Sequence, residues 1–508
     1  MKPLLILTPE KIRMIEKRAN DAGLSYLGMM EKAGTGCAEY ILKKHRSAQN
    51  IVILCGKGKN GGDGFVIARL LTAACKSVTV IKLFDTPSDA LSESRYGALT
   101  GDTTVLVCPK DSAKAASAIA KADVIADAVF GIGFSGTLPE NVRAVNRLCN
   151  SSGAVKIAID LPSGVSVNGI SKDFFKADET LSMLCLKKEH IYKPFSDCCG
   201  KVSVIPIGIE ISCTSGLFSL SEAELAIILP KRPFDANKGT FGKAAIIAGS
   251  KNMPGAAVIA ARGAIASGAG LVSVMYPDVC RNIIASSVPE CIGLPLETTP
   301  DGKISASNID KLLDALSSCK AAAFGCGMGV SEDGAELLEA VLQSYTGTLI
   351  VDADGINLHA GHIHLLKNTA CKVLLTPHPG EMSRLTGLSI TEVNADRERI
   401  AAAFAAKHGV FVLLKGSNTV VANPNGNVYI NTSGCNALSR GGSGDLLTGI
   451  AVSLAAQGKD PFDTLILASF LHGAAGEEAE KRFTAYASTT ERITECLPAA
   501  FLRLSESL

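Results

Sequence analysis

Short apolar segments that end in glycine-rich polar loops recur along the whole chain. The clearest example is the apolar run 51–55, which is followed by a glycine-rich stretch, 56–64, and by an apolar helical segment, 65–74. A continuous apolar run of this length is typical of a strand buried on both faces, and such strands alternate with helices in parallel sheets. The sequence therefore predicts an α/β fold, with a strand, a glycine-rich turn and a helix in these three segments.

The same pattern continues on both sides of this unit. Further strands are predicted over 78–84, 104–108, 124–129, 156–159 and 201–206, and helices over 9–45, 112–121 and 142–149. The first 210 residues should therefore form a Rossmann-like, doubly wound domain. A second series opens with a strand over 244–248, a helix over 255–267 and a strand over 271–276, and continues through 321–329, 348–358, 372–385 and 410–430.

The chain has 508 residues, which is too many for one hydrophobic core. Its composition changes between 211 and 224 to a short polar segment, in which Ser221 and the acidic residues after it predict the start of a helix. We place the domain boundary in this segment. The predicted domains are 1–212 and 222–508.

Composition excludes several classes of function. The net charge is +1 and no run of like charges occurs, so neither nucleic acid nor an anionic membrane is expected as a partner. No segment has the roughly 18 consecutive apolar residues of a membrane span. The 16 cysteines are scattered, many of them in apolar runs, and form no CxxC pair. They are typical of buried thiols in a reducing cytoplasm, and a zinc site is not expected.

Three loops of the first half carry polar residues where predicted strands end, and ligands of open α/β sheets bind at such ends. The loops contain Asn60, Asp127 with the glycine-rich stretch 131–137, and Asp160 with Ser163. The oxygens of Asn60, Asp127 and Ser163 suit an alkali or alkaline-earth cation. The GxGxxG pattern at 131–136 is weak evidence for dinucleotide binding because it does not follow the first strand. Asp160 could also be only a helix or turn cap.

One stretch of the second half, 439–445, places four small residues and Asp445 before an apolar helical run. Backbone N–H groups at such a helix start can bind a phosphate, and the carboxylate of Asp445 could take a proton from an attacking hydroxyl. The same sequence is also typical of a glycine-rich turn in which Asp445 only caps the helix. The motif alone does not decide between these interpretations.

Other candidate residues also lie after predicted strands. His378, between two prolines, could bind a ligand or only the backbone, and its rigid setting favours the ligand. Residues 415–419 could bind a nucleotide and also form a hairpin turn. Asp352 and Asp354 could bind magnesium indirectly, although acidic residues at a strand end are more often solvated.

The strings NGGDG at 60–64, GIGFSG at 131–136 and IDLPSG at 159–164 occur in an order that resembles the NAD(P)H-hydrate epimerase family. The resemblance implies that potassium is bound by Asn60, Asp127 and Ser163, and that Asp160 is the catalytic residue. Lys59 stands where the family has asparagine, and could contact substrate phosphate or point to solvent. The resemblance implies a site for the hydrated nucleotide formed by Lys59, Asn60, Gly61, Gly62, Asp63, Gly131, Ile132, Gly133, Phe134, Ser135, Gly136, Thr137 and Asp160.

The second half resembles ribokinase-like NAD(P)H-hydrate dehydratases through NKGTFGKAAIIAGS, GAGLVSV, TPHPGE, LLKGSNTVV and NALSRGGSGD. Arg440 stands where that family commonly has threonine, and could add a phosphate contact or crowd the entrance. The resemblance implies that the hydrate is bound by Ala256, Gly329, His378 and Asp445. It implies that ADP, with Mg²⁺, is bound by Lys415, Gly416, Ser417, Asn418, Thr419 and Gly444.

Together the two resemblances imply a cytoplasmic repair enzyme, which we expect to be a homo-oligomer. The first domain would interconvert R- and S-NADHX or NADPHX, and the second would dehydrate the S form with ADP, releasing AMP and phosphate. Two alternatives remain: a ribokinase-like small-molecule kinase, and a first domain that binds a nucleotide without catalysis.

Overall fold

The computed structural model describes residues 3–85, 89–166, 168–211, 216–360 and 362–506. The chain divides into two compact units, Leu4–Cys213 and Thr214–Leu508. The predicted boundary segment, 211–224, lies partly outside the described residues. The domain bounds 1–212 and 222–508 therefore stay a prediction, and the units are described separately.

The first unit is built on a parallel sheet. Its strands are β1 (Leu4–Leu5), β2 (Asn50–Cys55), β3 (Ser77–Lys82), β4 (Thr104–Val107), β5 (Val124–Ala128), β6 (Val155–Ile159), β7 (Val165–Ser166), β8 (Gly169–Ile170), β9 (Glu179–Met183) and β10 (Lys201–Ile205). Its helices are α1 (Pro9–Asp21), α2 (Tyr26–Lys44), α3 (Lys59–Ala73), α4 (Ala90–Gly97), α5 (Ser112–Lys121) and α6 (Glu140–Ser151). The main sheet has the order β10-β9-β6-β5-β2-β3-β4, and each of its neighbouring pairs is parallel.

The predicted strands and the Rossmann-like class of the first unit are confirmed, but the glycine-rich turn at 56–64 is wrong. Helix α3 begins at Lys59, so the glycines that follow lie in its first two turns. A Cβ on Gly61 would overlap the carbonyl oxygen of Gly56, and one on Gly64 would lie 2.8 Å from the Cβ of Ala128. Close packing on the sheet therefore outweighs the low helix propensity of glycine here.

Other elements of the first unit also differ from the prediction. The single helix expected over 9–45 is two helices, α1 and α2, and neither α4 nor β9 was predicted. Strand β9 is buried over most of its length although it contains Glu179, Thr180 and Ser182. These polar residues interrupt the apolar run from which a buried strand is predicted, so the sequence did not indicate β9.

The second unit repeats the architecture on a larger scale. Its strands are β11 (Leu217–Ser219), β12 (Lys243–Ile247), β13 (Leu271–Pro277), β14 (Ile292–Leu296), β15 (Ala321–Phe324), β16 (Thr348–Val351), β17 (Lys372–Leu375), β18 (Phe411–Leu414), β19 (Val420–Ala422) and β20 (Val428–Ile430). Its helices are α7 (Glu222–Ile228), α8 (Pro254–Ala266), α9 (Arg281–Ser287), α10 (Ile309–Ser317), α11 (Glu332–Ser344), α12 (Asp354–Ala360), α13 (Pro379–Thr386), α14 (Ile390–Ala395), α15 (Arg397–His408), α16 (Ser443–Ala456), α17 (Pro461–Ala487), α18 (Thr490–Glu495) and α19 (Leu497–Ser505).

These strands follow the order β11-β20-β19-β18-β17-β16-β15-β12-β13-β14. The pairs β18–β19 and β19–β20 are antiparallel, which confirms the predicted hairpin, and the other pairs are parallel. Ser221 and Glu224 form the predicted cap at the start of α7, where the backbone N–H of Glu224 donates to the hydroxyl of Ser221. Among the described helices, none is both long enough and apolar enough to cross a lipid bilayer.

Helix α16 lies at the centre of the second unit. It packs against α8 and α17 and against β12, β15 and β16, and nearly all of its residues after Asp445 are buried. A helix that is apolar on every side is typical of such a central position. The backbones of α16 and α8 come so close that a Cβ on Gly449 would overlap the carbonyl oxygen of Ala260.

This close approach predicts the effect of a single methyl group. We expect Gly449→Ala to lower the free energy of unfolding of the second unit by about 1–3 kcal/mol, because the two helices must move apart. Gly255→Ala in α8 is the matched control, since its Cβ meets no atom within 4 Å. Thermal unfolding of both variants measures the difference, and equal melting temperatures would contradict the close packing of α8 and α16.

Candidate active sites

The polar loops of the first unit meet at the carboxyl ends of β2, β5 and β6, which are neighbours in the sheet. Asp127 in β5 and Ser163 after β6 are both fully buried. The Ser163 hydroxyl donates to Oδ1 of Asp127 at 2.7 Å, and the Ser163 N–H donates to Oδ2 at 2.7 Å. Burial raises the pKa of Asp127 to about 6. The sheet therefore brings two of the three predicted potassium ligands into direct contact.

Asn60, the third predicted ligand, lies in the first turn of α3, and its side-chain amide donates to the carbonyl of Ile159 at 3.1 Å. It therefore contacts the end of β6, directly before Asp160. Among the described residues, no group of three or more histidine, cysteine, aspartate or glutamate side chains is arranged to hold a metal ion. The amide, carboxylate and hydroxyl oxygens at this edge fit the donor chemistry of a hard cation such as potassium.

The glycine-rich stretch 131–137 forms the loop between β5 and α6, as the loop interpretation of this pattern predicts. The backbone N–H of Ile132 donates to Oδ2 of Asp160 at 2.9 Å. A Cβ on Gly131 would lie only 2.7 Å from the same oxygen, so the loop approaches Asp160 closely at this point. The ring of Phe134 packs against that of Phe130 with 4.9 Å between centroids.

Asp160 is the most constrained residue of the first site. Its φ is +71°, a left-handed conformation that few residues other than glycine adopt. Lys187 donates to its Oδ1 at 2.5 Å, and Nε2 of His190 lies 2.8 Å from its carbonyl oxygen. Burial acts to raise the pKa of Asp160, but the Lys187 ammonium and the N–H of Ile132 hold it below its ordinary value. The carboxyl is therefore ionised at neutral pH.

Two further carboxyls face the same region. Burial raises the pKa of Asp63 well above its ordinary range, and the charges of Asp160 and Glu16 raise it further. Burial also raises the pKa of Glu16. The ammonium of Lys59 lies over the ring of Tyr26, 4.8 Å from its centroid, so this departure from the family makes a cation–π contact within the chain.

In the second unit, Asp445 lies in the first turn of α16, after Gly442, whose φ is +84°. Burial and the nearby Asp352 raise the pKa of Asp445 to about 6, while a hydrogen bond with Cys326 and the charge of Lys415 lower it. Asp445 is therefore poised to exchange a proton near neutral pH.

Asp352 corrects the expectation that the acidic residues after β16 are solvated. Its side chain is 1% exposed, and Lys415 pairs with its Oδ1 at 2.7 Å. The hydroxyl of Thr448 donates to its Oδ2 at 2.8 Å. A Cβ on Gly444 would lie 3.3 Å from Nζ of Lys415 and 3.6 Å from Oδ2 of Asp352. Lys415, Gly444 and Asp445 thus lie close together, and their roles toward a nucleotide and the hydrate stay predictions.

The loop after β15 carries Gly329 and contacts Ala256 of α8, which are two further predicted hydrate ligands. A Cβ on Gly327 would lie 2.7 Å from the Cβ of Ala256. The N–H of Gly329 donates to Oδ2 of Asp354 at 2.8 Å, so Asp354 also has a partner. Because Cys326 of this loop contacts Asp445, the loop and the start of α16 form one site.

His378 caps helix α13. Its Nδ1 accepts the N–H of Gly380 at 2.9 Å, and its Nε2 lies 3.3 Å from Oε1 of Glu381. Burial raises the pKa of Glu381 to about 6. The backbone-bonding role of His378 is confirmed, and its role toward a ligand stays a prediction.

Residues 415–419 form the turn between β18 and β19, where Asn418 has a φ of +52° and its amide donates to the carbonyl of Asn431 at 3.2 Å. Arg397 of α15 fixes this turn by donating to the carbonyls of Leu414 at 2.8 Å and Ser417 at 2.6 Å. The hairpin interpretation is confirmed. Nucleotide binding by the same residues stays a prediction. It is compatible with the hairpin because the Lys415 ammonium lies beside the start of α16.

Arg440 is held by backbone carbonyls, and the two roles considered for it toward a ligand stay predictions. Its Nε donates to the carbonyl of Ala437 at 2.9 Å, and another guanidinium nitrogen donates to the carbonyl of Ala485 at 3.1 Å. It therefore ties the glycine-rich loop to the end of α17. Nearby, the hydroxyl of Ser443 lies 3.1 Å from Nε2 of His472, and burial lowers the pKa of this histidine to about 4.

Sequence reasoning missed several residues of these sites: Lys187, His190, Glu381, Thr448 and His472. For Glu381 the signal was available, since a glutamate three residues after a cap residue is typical of a capping box. The others come from distant segments with no distinguishing pattern.

Two family models match this chain. The model described as NAD(P)H-hydrate dehydratase matches residues 244–499, and the model described as YjeF-related protein N-terminus matches residues 27–189. The bifunctional NAD(P)H-hydrate repair enzyme of Moorella thermoacetica is 34% identical over 496 residues, covering 94% of this chain and 93% of the relative. The enzyme of the same name from Thermofilum pendens is 30% identical over 505 residues, covering 98% and 96%.

Solved structures also resemble the second unit. An ADP/ATP-dependent NAD(P)H-hydrate dehydratase from Bacillus subtilis, co-crystallised with ATP and Mg²⁺, is 30% identical with a TM-score of 0.50, covering 58% of this chain and 100% of its own. A ribokinase-like superfamily protein from Enterococcus faecalis is 26% identical with a TM-score of 0.50, covering 58% and 99%.

The fold and the sites therefore define an α/β enzyme that joins a Rossmann-like unit to a ribokinase-like unit. The matched residues extend over both units and over nearly the full length of the relatives. The chain belongs to the family of bifunctional NAD(P)H-hydrate repair enzymes.

The buried pair of Lys415 and Asp352 predicts a stability effect. We expect Lys415→Met to lower the free energy of unfolding of the second unit by about 3 kcal/mol, because it leaves a buried carboxylate without its cation. The double variant Asp352→Asn with Lys415→Met removes both charges and should recover most of that loss. Denaturant unfolding measures the three proteins, and a double variant less stable than the single one would contradict the ion pair.

Proposed function

We propose that the two units catalyse successive steps in the repair of hydrated nicotinamide cofactors. The first interconverts the R and S forms of NADHX and NADPHX, and the second converts the S form to NADH or NADPH with ADP as phosphoryl donor. Family membership supports the pair of activities. The residue roles rest on the geometry of the two sites.

The observation that carries the second assignment is the placement of Asp445. Its carboxyl lies in the first turn of α16, has a pKa of about 6, and is next to Lys415 and the loop that carries Gly329. Such a carboxylate can take a proton from the C6 hydroxyl of the hydrate. The helix start and Lys415 provide positive electrostatic potential for the phosphoryl group.

The reaction follows from this placement. The deprotonated hydroxyl oxygen attacks the terminal phosphorus of ADP, and AMP leaves. The C6–O bond of the ester then breaks as the ring nitrogen donates its electron pair, so phosphate departs, and loss of a proton from C5 restores the dihydropyridine ring. Phosphorylation thus replaces hydroxide, a poor leaving group, with phosphate.

Mg²⁺, when it accompanies ADP, would neutralise charge on the transferred phosphoryl group. In this structure the Lys415 ammonium compensates the charge of Asp352, and the other carboxylate oxygen accepts from Thr448. We therefore assign the metal to the nucleotide phosphates. The adenine nucleotide would contact Lys415 and the turn that follows it, and the hydrate would contact Ala256, Gly329 and His378.

In the first unit we assign the base to Asp160. Inversion at C6 requires a bond to that carbon to break and re-form on the opposite face, with proton transfer to and from the hydroxyl. An ionised carboxylate at the carboxyl end of β6 suits this transfer. The proposed substrate contacts are Lys59 with the glycines after it and the loop 131–137.

Potassium, held by Asn60, Asp127 and Ser163, would supply a fixed positive charge for an anionic nucleotide. The oxygen donors that these residues bring to one sheet edge support this assignment. The homo-oligomer and the cytoplasmic location stay predictions. Free cysteines are in keeping with a reducing compartment, and most of those described are buried.

The assignment of Asp445 predicts a variant that separates the two activities. We expect Asp445→Asn to slow ADP-dependent dehydration by about 10²–10⁴-fold, because the amide cannot accept the proton. Interconversion of R and S hydrates should be unchanged. Recovery of NADH absorbance measures dehydration, and chromatographic separation of the two hydrates measures epimerisation.

A matched control is Asp463→Asn, which removes a partly buried carboxylate from the first turn of the neighbouring helix α17. It should keep both activities. Loss of both activities in Asp445→Asn would contradict the assignment, and so would a phosphorylated product that accumulates in the wild type without release of phosphate.

A further inference from the structure

The backbone N–H, the carbonyl oxygen and both carboxylate oxygens of Asp160 each have a hydrogen-bond partner from the same unit. Its N–H donates to the carbonyl of Leu181 at 2.8 Å, and its Oδ2 accepts the N–H of Ile132 at 2.9 Å. The two remaining anchors, at Oδ1 and at the carbonyl oxygen, come from Lys187 and His190. Both lie about thirty residues further along the chain, in and directly before a short 3₁₀ turn, Lys188–His190.

The ammonium of Lys187 is fully committed within the protein. Besides Oδ1 of Asp160, it donates to the hydroxyl of Ser182 at 2.9 Å and to the carbonyl of Met183 at 2.8 Å. An ammonium has three protons, so these bonds use all of them. The residue is 2% exposed. Lys187 therefore acts on Asp160 and is not free to contact a substrate.

The ring of His190 joins the backbones of the two paired residues. Its Nδ1 accepts the N–H of Lys187 at 3.1 Å, and burial together with the Lys187 charge lowers its pKa to about 3. The imidazole is therefore neutral with its proton on Nε2, and this proton is donated to the carbonyl of Asp160 at 2.8 Å. One ring thus fixes both ends of the ion pair.

The surroundings of Asp160 are otherwise unfavourable to a negative charge. The side chain is largely buried, and carboxyl and thiol groups of α1, α2, α3 and the segment after β9 interact with its charge. The positive charges that counter them are Lys187, Lys59 toward Glu16 and Asp63, and Arg13 toward Glu16. The titratable groups that act on or with Asp160 are Glu16, Cys37, Asp63, Cys185, Lys187 and His190.

We propose that Lys187 and His190 are positioning residues for epimerisation: Lys187 keeps the Asp160 carboxylate ionised and oriented, and His190 fixes its left-handed backbone. The proposal rests on the proposed function of the first unit, in which Asp160 is the base. It adds that the base works only because a lysine and a histidine from the segment after β9 hold it.

The test is the pH profile of epimerisation by the full chain with Lys187→Met, a side chain of similar length without charge. In the wild type the base is ionised throughout the neutral range, so its rate should not fall between pH 8 and pH 5.5 on account of Asp160. Without the ammonium, burial and the neighbouring carboxyls should raise the pKa of the carboxyl above its ordinary value. The variant should therefore lose activity several-fold as pH falls from 8 to 5.5, and recover at high pH.

Two controls separate this effect from a general loss of structure. Lys188→Met removes the adjacent lysine, whose side chain is exposed over the ring of Tyr192, and should leave the pH profile unchanged. Thermal unfolding of the same molecules reports whether the first unit is folded. The double variant Asp160→Asn with Lys187→Met should be no slower than Asp160→Asn alone, because Lys187 acts through Asp160.

Further variants separate the charge of Lys187 from its hydrogen bonds and test the ring of His190. Lys187→Arg keeps the charge, so its pH profile should keep the wild-type shape while kcat falls. This variant also tests the inference if Lys187→Met lowers the thermal stability of the first unit. His190→Leu removes both ring hydrogen bonds and should lower kcat more than KM, and His190→Gln should restore part of the rate.

The outcomes distinguish a failure of the proposed epimerase function from a failure of the roles of Lys187 and His190. A wild-type chain that does not interconvert the hydrates would overturn the proposed function itself. If the wild type is active and Asp160→Asn is not, a Lys187→Met profile with the wild-type shape would overturn the inference alone. A variant slowed equally at every pH would also overturn it, since a merely structural role gives that result.

Discussion

In each unit a buried carboxylate at the carboxyl end of a parallel strand is paired with a lysine from a later segment. Asp160 follows β6 and pairs with Lys187, and Asp352 follows β16 and pairs with Lys415. Moving a carboxylate out of water costs several kcal/mol unless a cation and further hydrogen bonds compensate it. Ile132 provides such a bond to Asp160 and Thr448 to Asp352, so the arrangement of each site depends on its ion pair.

The two pairs serve different purposes in the chemistry. In the first unit the paired carboxylate is itself the proposed base, and the lysine keeps it ionised. In the second unit the pair places Lys415 beside the start of α16, where the proposed base, Asp445, has a raised pKa because of burial and of Asp352. The sign of the neighbouring charge decides the direction: the Lys187 cation outweighs burial at Asp160, whereas the Asp352 anion adds to burial at Asp445.

Much of this could be predicted from the sequence because the signals are local. Apolar runs locate the buried strands, the helix start at 443 follows from small residues before an apolar segment, and the turn at 415–419 separates two strand patterns. The convergence of the loops at one sheet edge follows from parallel topology. What local pattern could not predict depends on packing: the glycines of α3 are helical because the sheet lies close to them, and Lys187 is recognised only once β9 brings it to Asp160.

The central claim is that Asp160 and Asp445 serve two separate steps joined by a free hydrate. The most direct measurement mixes two inactive chains, Asp160→Asn and Asp445→Asn, with R-NADHX and ADP, and follows NADH absorbance above the uncatalysed rate. We expect neither variant alone to restore NADH from the R form and the mixture to restore it, since one chain supplies the S hydrate and the other dehydrates it. A mixture as inactive as its components, or an Asp160→Asn chain that repairs the R form by itself, would contradict the account.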